Sequence, residues 1–436
     1  MTLVGRARAA LLRRTDAPGD PDLDPASRAD DLALRQLERL NAEWQRIRAD
    51  VAYYRDRFPT GFRSLEEFAE RVPPTSRDSV REHGPELASR TRRADFDRVT
   101  GGSTSSPVRL PAWRSEVAAT RADVWTGRGW YGLTPASRLF LLWGHSHLLG
   151  SGLRGWVNAR RRELKDRLLG YRRFSAYDLR PEAMRRAAEA LLRFRPQAML
   201  GYSVALHRFA RVNEDRAVPL QALGLGAVIG TGESFPSPDS GAALGRLFAC
   251  PVAMEYGAVE TGVVAHTHPS GGYRAFWRSY LLDAERQPSG HYLLRVTSLY
   301  PRCFPLVRYE IGDEIDLGRP GPAFAASVTR FERVVGRSND YVELSDGAMI
   351  HSEAFSHALR DCAGVVSFQV VRGPSGDRIR FAAGATPPSE AALAQVRERL
   401  RRIHPELARF GFERVEDLPR TVAGKTRMVL VERDTR

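Results

Sequence analysis

Between Thr100 and Gly336 short apolar runs alternate with helical stretches, and no other feature constrains the fold of this chain as strongly. Ala227-Val228-Ile229 reads as a short buried strand ending in glycines, and Val252-Ala253-Met254 as another ending at Tyr256-Gly257. Pro181 suits the first turn of a helix, and Pro196 stops that helix after Phe194. His291 to Thr297 and Pro305 to Leu317 read as strands, the second with a Gly312-Asp313 turn inserted. Strands that alternate with helices bury their apolar faces by stacking in layers, so the expected class is α/β.

The flanks read differently. Leu34, Leu37, Leu40, Trp44, Ile47, Val51 and Tyr54 recur at spacings of three and four, which predicts one long amphipathic helix. The stretch from there to Val99 reads as short helices and loops. After Gly336 the texture changes. Val365 to Val371 and Arg378 to Ala383 predict a hairpin through Gly373-Pro374-Ser375-Gly376. A helix follows, capped by Ser389, with Leu393, Val396, Leu400 and Ile403 on one face. A last strand is expected at Met428 to Glu432. This arrangement predicts a flexible lead-in over residues 1–30, a large multilayer domain of mixed sheets and helices over 31–336, and a small α+β domain over 337–436.

Composition excludes some functions. No apolar run reaches the length of about 20 residues that crosses a bilayer. Residues 1–30 are Arg-rich, lack a secretory apolar core, and carry Asp16, Asp20, Asp22 and Asp24, so a cytoplasmic location is expected. Cys250, Cys303 and Cys362 are far apart and fit neither a disulfide framework nor a zinc site. The net charge of +14 raises nucleic acid as a partner. No helix-turn-helix, zinc finger or aromatic RNA-reading signature accompanies it, and an Arg-rich solvated surface explains the charge.

Six segments carry candidate chemistry. Thr100-Gly101-Gly102-Ser103-Thr104-Ser105-Ser106-Pro107 offers glycines for close approach and hydroxyls for phosphate oxygens, or is an ordinary Ser/Gly turn. Gly230-Thr231-Gly232-Glu233-Ser234 and Glu255-Tyr256-Gly257-Ala258-Val259-Glu260 each follow an apolar strand. A Tyr at a strand end can lie on a purine, or be a core aromatic. Glu260 can position magnesium, or be a helix N-terminal charge. In Arg308-Tyr309-Glu310-Ile311-Gly312-Asp313 an Asp fixed by a glycine turn can accept both hydroxyls of a ribose. Gly336-Arg337-Ser338-Asn339-Asp340 falls where the texture changes, as a hinge would.

The sixth segment is Pro419-Arg420-Thr421-Val422-Ala423-Gly424-Lys425-Thr426-Arg427. Only two of the 66 basic residues are lysines, Lys165 and Lys425. Either Lys425 is a chance surface residue, or the site needs a compact ammonium rather than a guanidinium fork to steady charge on a phosphate.

In this order and at these intervals, the segments resemble the adenylate-forming superfamily, and within it most closely the phenylacetate–CoA ligases and the related proteins of capsule-polysaccharide clusters. The match spans Thr100 to Arg427. The resemblance implies an ATP-dependent ligase that makes an acyl-adenylate and passes the acyl group to coenzyme A. An amine acceptor giving an amide, or a degenerate homologue that only binds, are the other readings. It implies that Thr100, Gly102, Ser103 and Thr104 hold the ATP phosphates. Glu233, Tyr256 and Gly257 would flank the adenine, Glu260 would position Mg2+, and Asp313 would bind the ribose. Arg337 would contact ATP beside a hinge at Asn339 and Asp340, and Lys425 would stabilise the transition state. Trp143, His145, His147 and Gly230 fall in the acyl-pocket region, and Trp143 suits an aromatic acid. His145 with His147, and His266 with His268, have the spacing of metal ligands but no third ligand. A homodimer is among the expectations. The chain departs from the family at Ser105 and Ser106, where the loop usually carries a glycine and a cation, at Asn339 in place of Asp, and at Val259 before Glu260.

Overall fold

A computed structural model describes residues 29–432 except 56, 100–108, 145–151, 177, 234, 236–238, 288–289, 319–320, 336–340, 360–361, 374–375, 385, 417 and 419–428. A hairpin pairs β1 (Phe96–Val99) with β2 (Arg109–Ala112). The largest sheet has eight strands. It contains β3 (Leu139–Leu142), β4 (Tyr171–Phe174), β5 (Ala198–Tyr202), β6 (Ala227–Thr231), β7 (Val252–Ala258), β8 (Gly262–Thr267), β9 (Tyr273–Ala275) and β14 (Arg330–Phe331). Strands β4, β3, β5, β6 and β7 run parallel in that order, and β8, β9 and β14 continue antiparallel.

The parallel part is covered on both faces, which is why its strands read as continuous apolar runs. Phe140, Leu142, Met199 and Val228 face the helices Pro181–Phe194, Ser203–Val212 and Ser240–Phe248. Their neighbours Leu139, Leu141, Leu200 and Ile229 face the opposite side, against Trp125 and Tyr131.

A five-stranded antiparallel sheet lies next in sequence. It joins β10 (Tyr280–Arg286), β11 (Tyr292–Ser298), β12 (Tyr309–Asp316), β13 (Phe324–Ala325) and β15 (Arg333–Val334), in the order β13-β10-β11-β12-β15. The C-terminal part has a two-stranded pair, β16 (Tyr341–Glu343) with β17 (Met349–His351). It also has a four-stranded sheet of β18 (Val365–Arg372), β19 (Arg378–Ala383), β20 (Gly411–Val415) and β21 (Val429–Val431). That part has a core of its own, built on Phe355, Val370, Ile379, Val396 and Leu400. Ser389 caps the Glu390–Ile403 helix by accepting from the Ala392 N–H. The fold is thus α/β with mixed sheets, as the alternation predicts.

The first helix differs from its expected pattern in two ways. It runs Ala29–Asp50, breaks at Val51, and resumes as Ala52–Arg55. Leu40, Trp44, Ile47, Val51 and Tyr54 are buried as expected, but Leu34 is 61% exposed. The inward position in that turn belongs to Gln36. Its amide donates to the carbonyls of Trp277 and Tyr280 at 3.3 and 3.0 Å and accepts from Ser327 at 2.6 Å. A satisfied polar side chain therefore occupies the stripe where apolarity alone points to Leu34.

Glu43 lies on the same helix, buried, 3.7 Å from Arg46. Burial pushes its carboxyl up to about 7, against the pull of Arg46 and Arg39. A raised carboxyl favours the fold while protonated, so its contribution is lost as pH rises towards 7. Glu43→Gln is expected to match the parent near pH 4.5 and to exceed it by up to about 3 kcal/mol above pH 7.5. Urea unfolding at both pH values checks this, and a difference that does not change with pH would sink it.

Candidate active site

Four of the parallel strands end on one side of the large sheet, the position where ligands enter open α/β sheets. Trp143 follows β3, Tyr202 closes β5, Thr231 closes β6 with Gly232 and Glu233 after it, and β7 carries Tyr256 and Gly257. Trp143 stacks on Tyr202 with centroids 5.1 Å apart. Tyr202 also packs against the C-terminal core and passes 3.0 Å from where a Cβ on Gly232 would sit. Gly232 has φ +81°, so a side chain there would be strained as well as crowded. At Gly230 a Cβ would meet Met254 Sδ at 2.5 Å, Ser203 Oγ at 2.9 Å and Phe235 Cζ at 3.2 Å, so β6 ends in a tightly closed corner.

Glu233 is tied into that corner. Its carboxylate accepts from the Val204 N–H at 3.1 Å, at the start of the Ser203–Val212 helix, and its carbonyl accepts from Ser203 Oγ at 2.8 Å. The helix N-terminus holds the carboxylate by charge and by a backbone donor together. Tyr202, Ser203 and Phe235 escape a motif-based reading, because each contributes through packing or a hydroxyl contact rather than through a recognisable spacing.

Strand β7 runs on to Ala258, past the end expected near Tyr256, because it changes partner from β6 to β8 at Met254–Glu255. Gly257 sits at a register shift in that pairing. A Cβ there would lie 1.9 Å from the Gly262 carbonyl, which only glycine allows. Tyr256 packs edge-on against Tyr273 and Phe331. Strand β12 stays continuous where a turn is expected. Between the pairs Glu310↔Arg295 and Glu314↔Leu293, three residues of β12 oppose Leu294 alone. Gly312, at φ +89°, makes that bulge possible and re-aims Asp313.

The two strands are joined reciprocally. Tyr256 donates its hydroxyl to Asp313 Oδ2 at 3.2 Å, and Tyr309 donates to Glu260 Oε1 at 3.3 Å. Each motif has a Tyr four residues before an acid, and each Tyr holds the other motif's acid. The shared Tyr-x-x-x-acid spacing is the signal that could have linked them. Glu260 is only 2% exposed, and Arg302 donates to its carbonyl at 2.6 Å. Tyr280 donates to the next carbonyl, that of Thr261, at 2.6 Å. The β7–β8 turn is therefore pinned from three sides.

His266 and His268 gain no third metal ligand among the described residues. His266 is buried against Tyr131 and Trp130, and burial lowers its pKa. No group of three His, Cys, Asp or Glu able to hold a metal comes together among the described residues. The three cysteines are free thiols. Thr100, Gly102, Ser103, Thr104, His145, His147, Arg337, Asn339, Asp340 and Lys425 lie outside the described residues.

Solved structures share this architecture. A 2-hydroxyisobutyryl-CoA ligase in complex with 2-HIB-AMP and CoA, in its thioesterification state, matches 94% of this chain and 91% of its own. The TM-score is 0.59 at 18% identity. An open conformation of the same ligase, with 2-HIB-AMP and CoA, matches 93% of each chain with a TM-score of 0.52 at 19% identity. The chain has the adenylate-forming ligase fold. No family model matches the sequence. Protein CapK of Staphylococcus aureus is 24% identical over 264 residues, 59% of this chain. The chain spans 57% of the length of that curated relative. No helix among the described residues is long and apolar enough to cross a membrane.

Proposed function

We propose that this adenylate-forming fold works as an ATP-dependent acid ligase, which activates a carboxylic acid as its acyl-adenylate and transfers the acyl group to coenzyme A. The carboxylate attacks the α-phosphate, pyrophosphate leaves, and the thiol of coenzyme A then displaces AMP from the mixed anhydride. The observation that carries this reading is the reciprocal pairing of Tyr256 with Asp313 and Tyr309 with Glu260. It sets an acceptor for ribose and an acid for a metal at one junction of two sheets, beside the open strand ends. The likeness to a CoA ligase bound to an acyl-AMP and CoA supports the same reading.

In this reading Thr100, Gly102, Ser103 and Thr104 hold the phosphates, and Glu233, Tyr256 and Gly257 border the adenine. Arg337 contacts the nucleotide. Residues 31–336 form the ATP and acyl domain, and residues 337–436 turn about Asn339 and Asp340 to bring Lys425 in and out. Magnesium is held by one or two carboxylates plus substrate phosphates. Glu260, whose Oε1 accepts from Tyr309, would supply one carboxylate, which suits a metal that arrives with the nucleotide. The Trp143–Tyr202 stack supports a planar acid. Three free thiols suit a cytoplasmic protein.

Pyrophosphate exchange over a panel of acids, followed by thioester formation with coenzyme A, tests the reading. Exchange with no thioester would turn it towards an amine acceptor, and no exchange with any acid towards a homologue that only binds. Asp313→Ala is expected to weaken ATP binding and to abolish the preference for ATP over its 2′,3′-dideoxy analogue. Calorimetry that finds the preference intact would remove Asp313 from the nucleotide site.

A further inference from the structure

The Gly152–Leu169 helix is built inside out. It lies along β4, the edge strand of the eight-stranded sheet. A surface helix normally turns its large apolar residues inward. Among the described side chains of this helix, 156–169, the buried one is Asp166, and Arg173 of β4 holds its carboxylate through bonds of 2.7 and 3.1 Å. Trp156, Leu164 and Leu168 point outward, 59%, 60% and 50% exposed. Three of the eight large apolar residues exposed among the described residues thus fall on this one helix. They are spaced by multiples of four, so they share one side.

The same side is cationic. Arg160, Arg161, Lys165 and Arg167 are exposed on it. The remaining acid, Glu163, is already bonded to Arg160 at 3.0 Å and to Arg167 at 2.8 Å. Arg160 also lies over the Trp156 ring, 5.6 Å from its centroid. The outward face is therefore a row of Trp and Leu set among positive charges whose neighbouring acids are both spoken for.

We propose that this face docks on an anionic phospholipid surface. A bilayer interface accepts Trp and Leu side chains to the depth of the headgroups, while guanidinium and ammonium groups reach the phosphates on their flexible stems. A second copy of the helix would set like charges against each other, and a nucleic acid gives the leucines nothing to bury against. At about 27 Å the helix is long enough to lie in the interface without crossing it.

Co-sedimentation of the full chain with vesicles tests the proposal, comparing mixed phosphatidylglycerol–phosphatidylcholine with phosphatidylcholine alone. The chain is expected to bind the anionic vesicles and to leave the zwitterionic ones. Arg161→Gln with Lys165→Gln should weaken partition about thirtyfold, at about fivefold per cation. Leu164→Asn with Leu168→Asn, which leaves the charge unchanged, should weaken it by at least about tenfold. Val218→Asn, at a still more exposed apolar position on another helix, should leave it as it is. All three sites are on the surface, and matching melting curves establish that the variants fold.

If the Leu164/Leu168 variant binds like the parent, attraction is due to overall positive charge and the proposal falls. Equal binding to phosphatidylcholine removes the ionic half of it. A chain that ignores vesicles but sediments as a dimer, and becomes a monomer with Leu164→Asn and Leu168→Asn, has a second copy on this face instead. None of these outcomes touches the ligase reading, which the exchange assay judges separately.

Discussion

Lys425→Ala is expected to cut ATP–pyrophosphate exchange by at least about a hundredfold, the scale set by removing one preorganised charge from a transition state. Its melting curve should match the parent. The expectation rests on the choice of residue. In a chain with 66 basic residues and only two lysines, one of the two stands between Gly424 and Thr426 in the Pro419 to Arg427 segment. Lys425→Arg should fail as well, because a planar fork does not fit where a slim stem and a point charge are needed. An arginine variant with near-normal exchange would show that any cation suffices there.

The second large effect is structural. Arg308→Met is expected to destabilise the chain by about 3–5 kcal/mol, the range for removing one partner of a buried ion pair. Arg308 donates to both carboxylate oxygens of Asp283, at 3.0 and 3.3 Å, and both residues are buried. It also donates to the carbonyls of Ala69 and Val72 and so ties the end of the Leu65–Arg71 helix to the five-stranded sheet. Its backbone is left-handed at φ +46°, a conformation that a residue with a side chain adopts only when its surroundings hold it there.

Burial already pushes the Asp283 carboxyl up, against the opposing pull of Arg308 and Arg295. Without Arg308 it should rise further. A carboxyl raised in the fold contributes stability that is lost as pH increases, so the cost of the variant should be larger at pH 8 than at pH 5. Adding Asp283→Asn should recover part of the loss and flatten the pH dependence. Urea unfolding of the single and double variants measures both. Additive losses with no pH dependence would mean that the two side chains do not act as a pair.

Arg308 begins the segment in which Asp313 and Tyr309 are the chemical candidates, and its position among them gives no sign of a different task. The distinction depends on partners far away in sequence. Asp283 lies on β10, and Ala69 and Val72 lie at the end of an early helix.

What the sequence determined by itself is local or depends on the order of motifs. The Pro181–Phe194 helix begins and ends where Pro181 and Pro196 dictate. Ser389 caps its helix as read, and the hairpin of β18 and β19 forms around Gly373 to Gly376. These features are set by φ restrictions and by contacts three or four residues apart, which a linear pattern records directly. The six ordered segments pointed to the adenylate-forming fold, because each combines glycine with polar residues at fixed intervals.

Tertiary structure decided whatever depends on register and on which strand lies beside which. Strand β21, last in the described chain, runs parallel to β18 rather than joining a hairpin. Gln36 displaces Leu34 from the buried stripe because three partners beyond residue 276 satisfy its amide. The bulge at Gly312 arises from a mismatch of three residues against one between β11 and β12. The same bulge carries Asp313 to Tyr256, 57 positions away in the chain. A linear sequence lists the donors and acceptors but not the sheet that sets them opposite one another. The reciprocal tyrosine–carboxylate pairs exist because two sheets meet at that junction, and only the packed chain brings them there.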